Sequence, residues 1–488
     1  MFRNAEYNEQ GLIRVLGPVQ LPGRTGEEMH YFLHLTRGAT PLRSLIRMFL
    51  LGVPVEAAAA REAARPLELE DWVGAGMVEL RDGMAHPLIR LMPFRDLLLA
   101  CDHVGGDGRL DMVMGITAST VTLADFTVRR PYRTVLDLGT GGGVQALLAA
   151  AHSRRVVGID YNARAVEFAR FNAGLNGIEN CEFIQGDALE PVRCRAFDLV
   201  VSNPPFVITP SVRYIYRDSG MELDGFCRKL AAEVPALLNE GGFFQMWCDW
   251  AHFTGQDWKE TLAGWFEGSG CDVWVLRTET RGIADYAYTW SRDTEHGTAA
   301  RAGRLFQDWV AYYEKKGLEA ISTGLVAMRR VSGRKNRLRI EDAPSGVGGP
   351  FGDHVATGFV LHSYATEASD EQLLDEKLRV SPLVRLDETC EWSERGWKPV
   401  SAHIRLEKGL TYSSNIDLRF AGMVARCAGD RPVRDLIAEL AEATNSSREK
   451  ITPKILDLLR QLIERGFLLP ASLEDELQEA VGATPTAF

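Results

Sequence analysis

No run of about 20 apolar residues occurs in the 488-residue sequence, so no segment is long enough to cross a bilayer as a helix. The first residues, from Met1 to Glu9, carry acids where a secretory signal needs an apolar core, and a cytoplasmic location is therefore expected. Paired cysteines are missing too. The 8 cysteines stand singly at 101, 181, 194, 227, 248, 271, 390 and 427, which excludes a disulfide scaffold and a cysteine zinc site and predicts reduced thiols. None of the 10 histidines forms an H-x-x-H or H-E-x-x-H pattern, so no metal site is expected. Positive charge is in short supply, 55 basic against 66 acidic residues, and the net charge of −11 excludes a diffuse grip on polyanions. Any binding of nucleic acid must be local. Repeats and low-complexity tracts are absent as well. What remains, 45% apolar and 25% charged residues, is the composition of a globular protein with room for about three domains.

Three kinds of text follow one another. Residues 1–105 read as a mainly helical module, with helices over 42–51, 56–64 and near 69–75 and then a hairpin turning at Asp82-Gly83. Helices followed by a hairpin suggest a winged-helix-like unit, serving either nucleic-acid or partner recognition or as a structural lid. Across 106–331 strands and helices alternate, with strand candidates at 134–138, 156–160, 181–184, 197–202, 242–248, 272–278 and 323–331. These seven strands predict a doubly wound, Rossmann-like α/β sheet. Residues 332–400 open with a basic and glycine-rich passage and read as a linker and irregular region. The last part, 401–488, returns to helical spacing over 433–443 and 450–465, a second winged-helix-like module.

Four motifs lie at the ends of the first four central strands. A strand runs into the glycine turn Gly139-Thr140-Gly141-Gly142-Gly143 and on into a helix, which lets backbone approach a ligand closely. Asp160 ends the next strand, where a carboxylate can accept hydrogen bonds from both hydroxyls of a ribose; that spacing alone also fits a dehydrogenase. Gly186-Asp187 follows the third strand and Asn203-Pro204-Pro205-Phe206 the fourth.

In this order the four motifs resemble class I S-adenosylmethionine-dependent methyltransferases. The similarity is to the amino-methylating branch, which includes ribosomal RNA guanine N2-, adenine N6- and release-factor glutamine N5-methyltransferases, and it covers about 110–331. The resemblance implies S-adenosylmethionine as cofactor. Asp137, Gly139, Thr140, Gly141 and Gly143 would line its methionine and ribose portion, with Asp160 on the ribose hydroxyls, Asp187 at the adenine amino group and Asn203 beside the methyl. Simpler roles exist: Asp137 as a cap of the loop, Asp160 and Asp187 as turn acids. The same resemblance makes Asn203, Pro204, Pro205 and Phe206 the catalytic group. The nitrogen of an amide or an aromatic amine delocalises its lone pair; the Asn203 side-chain carbonyl and the Pro204 backbone carbonyl would accept its two N–H groups and turn that lone pair towards the methyl. Stiff prolines and an aromatic ring suit such a loop.

The expected acceptor is an exocyclic amine of an RNA base. The alternatives are a protein glutamine amide, as in a release factor, or a small molecule; a regulator that only senses the cofactor is a fourth. RNA or a protein is thus the expected partner, with no membrane, and the oligomeric state is not specified. Tyr214 and Tyr216, with Arg217 and Asp218, follow the Asn203 loop and either cover substrate or form a surface loop. Tyr286, Tyr288 and Trp290 alternate, as the inward face of an extra strand or as a stacking wall for substrate. Ser119 and Thr122 are expected to cap a helix rather than reach the site. The run Arg329, Arg330, Arg334, Lys335, Arg337 and Arg339 is the strongest local candidate for phosphate contacts, set against an ordinary solvated loop.

Overall fold

The computed structural model describes residues 1–17, 26–38, 40–103, 109–294, 299–344 and 346–482. They fall into two compact units: Met1–Val121 with Tyr132–Cys271 and Glu279–Arg334, and Thr122–Pro131 with Asp272–Thr278 and Lys335–Phe488. The expected boundary at 105/106 lies outside the described residues.

All seven expected central strands are present: β1 (Tyr132–Leu138), β2 (Ser153–Asp160), β3 (Cys181–Gln185), β4 (Phe197–Ser202), β5 (Leu238–Phe253), β6 (Cys271–Gly282) and β7 (Leu318–Arg330). Within the first unit they run in the order β3-β2-β1-β4-β5-β7, parallel except for β7. Val135, Leu136, Val156, Val157, Leu199 and Val200 are all at most 2% exposed, as a parallel sheet covered on both faces requires. Two helices follow the first two strands, α1 (Val144–Ala150) and α2 (Ala163–Leu175). Asn162 caps α2 by accepting the Arg164 N–H at 3.0 Å. Strand order reverses between β1 and β4, and in an open parallel sheet the ligand crevice lies at the carboxyl ends flanking that reversal.

Strands β5 and β7 outrun the expected 242–248 and 323–331. They form one antiparallel ladder from Phe243↔Arg329 to His252↔Ala320, which sets Asp249 opposite Thr323. The insertion after β6 corrects the extra-strand expectation: Tyr286, Tyr288 and Trp290 lie on a helix, α3 (Ile283–Thr294), which is followed by α4 (Ala299–Lys315). In a helix, residues four apart share a face. Tyr286 is accordingly buried and Trp290 half-buried beside it, while Tyr288 points to solvent at 58% exposure.

The N-terminal part of the first unit holds helices Pro41–Leu45, Ala57–Ala64 and Leu69–Gly74. A small sheet pairs Val55–Glu56, Met84–Pro87 and Val78–Arg81 in that order, with the hairpin turning at Asp82 and Gly83, both with positive φ. Leu45, Ile46, Phe49, Trp72 and Val78 are its core.

In the second unit, Val273–Arg277 of β6 pair in parallel with Leu338–Asp342, starting at Val273↔Leu338. The linker expected at 332–400 is corrected here. It contains the helix Gly352–Glu367 and the strands Lys377–Val380, Val384–Ser393 and Gly396–Leu406. Lys377–Val380 pairs with both Ala428–Pro432 and Leu468–Pro470, so the sheet of the C-terminal region starts well before 401. The expected helices there run over Val433–Ala443 and Arg448–Glu464.

Candidate active site

The four motif loops open onto one cavity of about 1090 Å³ in the first unit, at the carboxyl ends of β1 to β4. Gly139, Gly141 and Gly143 have φ of +71°, +52° and +87°, a backbone region that strains any residue with a side chain. At Gly141 a Cβ would meet nothing within 4 Å, so conformation rather than space demands glycine there. The loop is tied down from below. The amides of Gly139 and Thr140 donate to the Ile159 carbonyl at 2.9 and 2.8 Å.

Asp137, 2% exposed, acts within that scaffold: its Oδ2 accepts from Thr140 Oγ1 at 2.6 Å and from the Ala146 amide at 2.9 Å. Burial raises its pKa to about 6, against the pull of those two donors. Asp160 accepts from the Gly141 amide through Oδ2 and from the Asn162 amide through Oδ1, both at 2.8 Å, so it welds the glycine loop to the start of α2. Burial raises its pKa as well. Asp187 lines the cavity with an exposed carboxylate.

Asn203 is fixed by a residue that sequence reasoning set aside as a cap. Its Nδ2 donates to Ser119 Oγ at 3.3 Å, and Ser119 is in turn held by Thr117 Oγ1 at 2.9 Å. With the amide nitrogen engaged there, Oδ1 is left buried and without a partner in a cavity wall. A buried acceptor with nothing to accept costs about 1–3 kcal/mol, so its persistence in a cavity wall calls for an explanation. Pro204 and Pro205 also line the cavity, and the Phe206 ring meets Trp247 and Trp290 edge-on, with centroids 6.5 and 6.2 Å apart.

Of the other substrate-side candidates, Tyr216, Tyr286 and Trp290 line the cavity, whereas Tyr214 is buried behind it with the Arg217 guanidinium 5.2 Å from its ring. Arg217 and Asp218 do not form a surface loop. They are a buried ion pair, Nε–Oδ1 2.5 Å, and Asp218 Oδ2 also accepts the amides of Arg213 and Tyr214. Among the residues that line the same cavity, Arg217 Nη1 and Gln145 Oε1 are also buried polar atoms without a partner. Trp247, Asp249 and Gln145 were missed from sequence. For Asp249 the signal was a lone acid inside the apolar strand text Met246-Trp-Cys-Asp-Trp250.

Three of the six cations in the basic run, Arg330, Arg337 and Arg339, are engaged internally. Arg330 Nη1 donates to the Ser269 carbonyl at 3.0 Å. In the second unit Arg337 bonds Ser363 Oγ at 2.7 Å and pairs with Glu367, while Arg339 stacks on Trp274 at 4.4 Å and pairs with Glu341 at 2.8 Å. These guanidinium groups are spent on internal carboxylates, carbonyls and rings, not displayed to phosphates. Among the described residues no cluster of side chains could hold a metal ion, and no helix is long and apolar enough to cross a membrane.

Residues 131–267 match the family model described as "Methyltransferase domain". This region is a class I methyltransferase domain. Two further models, each described only as a domain of unknown function, match residues 4–88 and 360–470. The release factor glutamine methyltransferase of Xylella fastidiosa is 33% identical over 150 residues, 27% of this chain and 54% of that protein. The Aliivibrio fischeri protein of the same name is 46% identical over 78 residues, 15% of this chain and 28% of that protein. An uncharacterised RNA methyltransferase of Protochlamydia amoebophila is 36% identical over 90 residues, 17% of this chain and 20% of that protein. The chain thus spans about half or less of the curated relatives it matches. A solved methyltransferase structure from Pyrococcus furiosus covers 43% of this chain and 80% of its own at 17% identity, with a TM-score of 0.26. The domain is an enzyme domain whose methyl donor is S-adenosylmethionine. The site fits that donor: an open glycine loop of positive φ, the half-buried Asp160 beside it and the exposed Asp187 further along the same cavity.

Proposed function

We propose that the protein transfers a methyl group from S-adenosylmethionine to a planar nitrogen, and that the acceptor is the exocyclic amine of a nucleobase in RNA. The observation that carries the reading is Asn203 Oδ1, buried and unpartnered on the cavity wall while its amide nitrogen is held by Ser119. Bound donor supplies an electrophilic sulfonium methyl. The chain's part is then to orient the nucleophile. Asn203 Oδ1 accepts one N–H of the amine and the Pro204 carbonyl the other, which turns the lone pair out of conjugation and along the line of displacement. With the lone pair so presented no base would be required before attack; bound S-adenosylmethionine would supply the methyl and keep its sulfur, and the surplus proton would leave the nitrogen afterwards. Asp160 and Asp187 serve the ribose hydroxyls and adenine, and Asp137 with Thr140 keeps the loop in shape.

The aromatic group at Phe206, Trp247, Trp290 and Tyr216 favours a flat ring as acceptor, since stacking is worth about 1–3 kcal/mol per base. A second reading, a protein glutamine amide, is favoured by the names of the Xylella and Aliivibrio relatives and by the internal use of Arg330, Arg337 and Arg339. One incubation separates them. Purified protein is mixed with methyl-labelled S-adenosylmethionine and a lysate of its host, then split into nuclease-treated and protease-treated halves. Label lost with nuclease and recovered as an N-methylated nucleoside is the expected result; label lost only with protease replaces the base by glutamine.

A further inference from the structure

The helical insertion between β6 and β7 reaches back to the Asn203 loop through two tyrosine hydroxyls. Ile208, five residues beyond Asn203 and fully buried, has both of its backbone polar groups taken by them. Its N–H donates to Tyr286 Oη at 3.1 Å, and its carbonyl accepts the Tyr313 hydroxyl at 2.7 Å. Tyr286 passes the connection on by donating to Asp249 Oδ2 at 2.5 Å, while Asp249 Oδ1 accepts from Thr323 Oγ1 at 2.6 Å. Asp249 and Thr323 are cross-strand partners on β5 and β7. The loop is thereby referenced to the rigid sheet through a chain of directed hydrogen bonds. We propose that Tyr286 and Tyr313 are positioning residues of the methyl-transfer site, clamping the Asn203 loop by the backbone of Ile208; this rests on the reading of Asn203 given above.

Three features argue for placement rather than mere cohesion. The grip is on backbone, so what it fixes is location, and the Pro204-Pro205 pair between Asn203 and Ile208 transmits that location stiffly. The direction of the chain is set. Tyr286 Oη already receives the Ile208 N–H and must send its own proton to an acceptor, which the Asp249 carboxylate supplies. The clamp is also packed to hold: Tyr286, Trp309 and Tyr313 are at most 2% exposed, with ring centroids 6.1 Å apart for Tyr286–Tyr313 and 6.3 Å for Trp309–Tyr313, around Val207 and Ile208. A second contact from the same insertion, Lys316 with Glu222, fastens the far end of the segment.

The test removes hydroxyls without removing volume. Tyr286→Phe, Tyr313→Phe and the double variant of the full chain are compared with wild type and with Asn203→Ala. The readouts are the initial rate of label transfer from methyl-labelled S-adenosylmethionine to host lysate, the calorimetric affinity for the cofactor, and amide exchange across residues 139–143 and 203–210. Each single variant should lower the transfer rate roughly tenfold, since small displacements of a reacting group are costly. Cofactor affinity should stay unchanged, Ile208 should exchange faster in Tyr286→Phe, and the glycine loop should exchange as before. Full transfer rate in both hydroxyl variants with Asn203→Ala inactive overturns the clamp alone. An active Asn203→Ala overturns the reading beneath it. If wild type labels nothing, or the double variant does not fold, Ile208 exchange in Tyr286→Phe decides: acceleration supports the clamp and an unchanged rate defeats it.

Discussion

Two loops at neighbouring strand ends are built in opposite ways. The glycine loop after β1 is held by its own surroundings in sequence: Asp137 reaches 3 and 9 residues ahead to Thr140 and Ala146, and Asp160 returns from the next strand. The Asn203 loop after β4 has almost no local support, and its anchors are Ser119, Tyr286 and Tyr313, at separations of 84, 78 and 105 residues. A loop that binds the invariant part of a reaction can be a short cassette. On the function proposed above, the loop that presents an acceptor atom to a variable partner is set by distant elements, the Ser119 segment together with α3 and α4.

The contrast can be broken at several points. The largest effect is expected at the buried Arg217–Asp218 pair, which lies in the segment that follows the Asn203 loop. Arg217→Met leaves a buried carboxylate without its cation, which costs about 3–5 kcal/mol and lowers the melting temperature of the methyltransferase unit by roughly 10 °C. A calorimetric scan within a degree or so of wild type would mean the pair is not holding the segment. Next comes the glycine loop. Asp137→Ala strips the acceptor from Thr140 and the Ala146 amide, at about 1–3 kcal/mol, and should weaken cofactor binding together with stability, because one cassette serves both. Loss of stability with unaltered cofactor affinity would separate the two functions that the loop is argued to combine.

A third test is pH dependence, and it sharpens the clamp side of the comparison. Burial raises the Asp249 carboxyl from 3.8 to about 7, opposed by the hydroxyls of Thr323 and Tyr286 and by nearby Arg281, and reinforced by Glu279. A carboxyl whose pKa is higher folded than unfolded contributes stability that is fully present below 3.8 and is lost as pH rises through about 7. Asp249→Asn should therefore show a shallower decline of stability over that interval in denaturant titrations at several pH values. Parallel curves for variant and wild type would remove Asp249 from the account.

The same contrast explains what was legible in the sequence. The glycine turn, Asp160 and the strand text that precedes each motif are local, so spacing and apolar runs expose them. The functional candidates of the Asn203 loop were visible as a motif, but their supports were not, because hydrogen bonds across 78 to 105 residues leave no periodic trace. Alternating Tyr286, Tyr288 and Trp290 fit a strand as well as a helix until the i and i+4 pair was seen to share a buried face. Arg337 and Arg339 looked like free cations because their carboxylates, Glu367, Glu341 and Glu464, are contributed from elsewhere in the second unit or from two residues along the same strand.

The central claim is that Asn203 offers its unpartnered Oδ1 to the nitrogen that is methylated. Turnover and cofactor affinity measured on the same preparations of wild type, Asn203→Ala and Asn203→Asp test it most directly. The account predicts transfer reduced by roughly 100-fold or more in Asn203→Ala, cofactor affinity intact, and partial recovery in Asn203→Asp, which keeps an acceptor oxygen. Wild-type turnover in Asn203→Ala would contradict it.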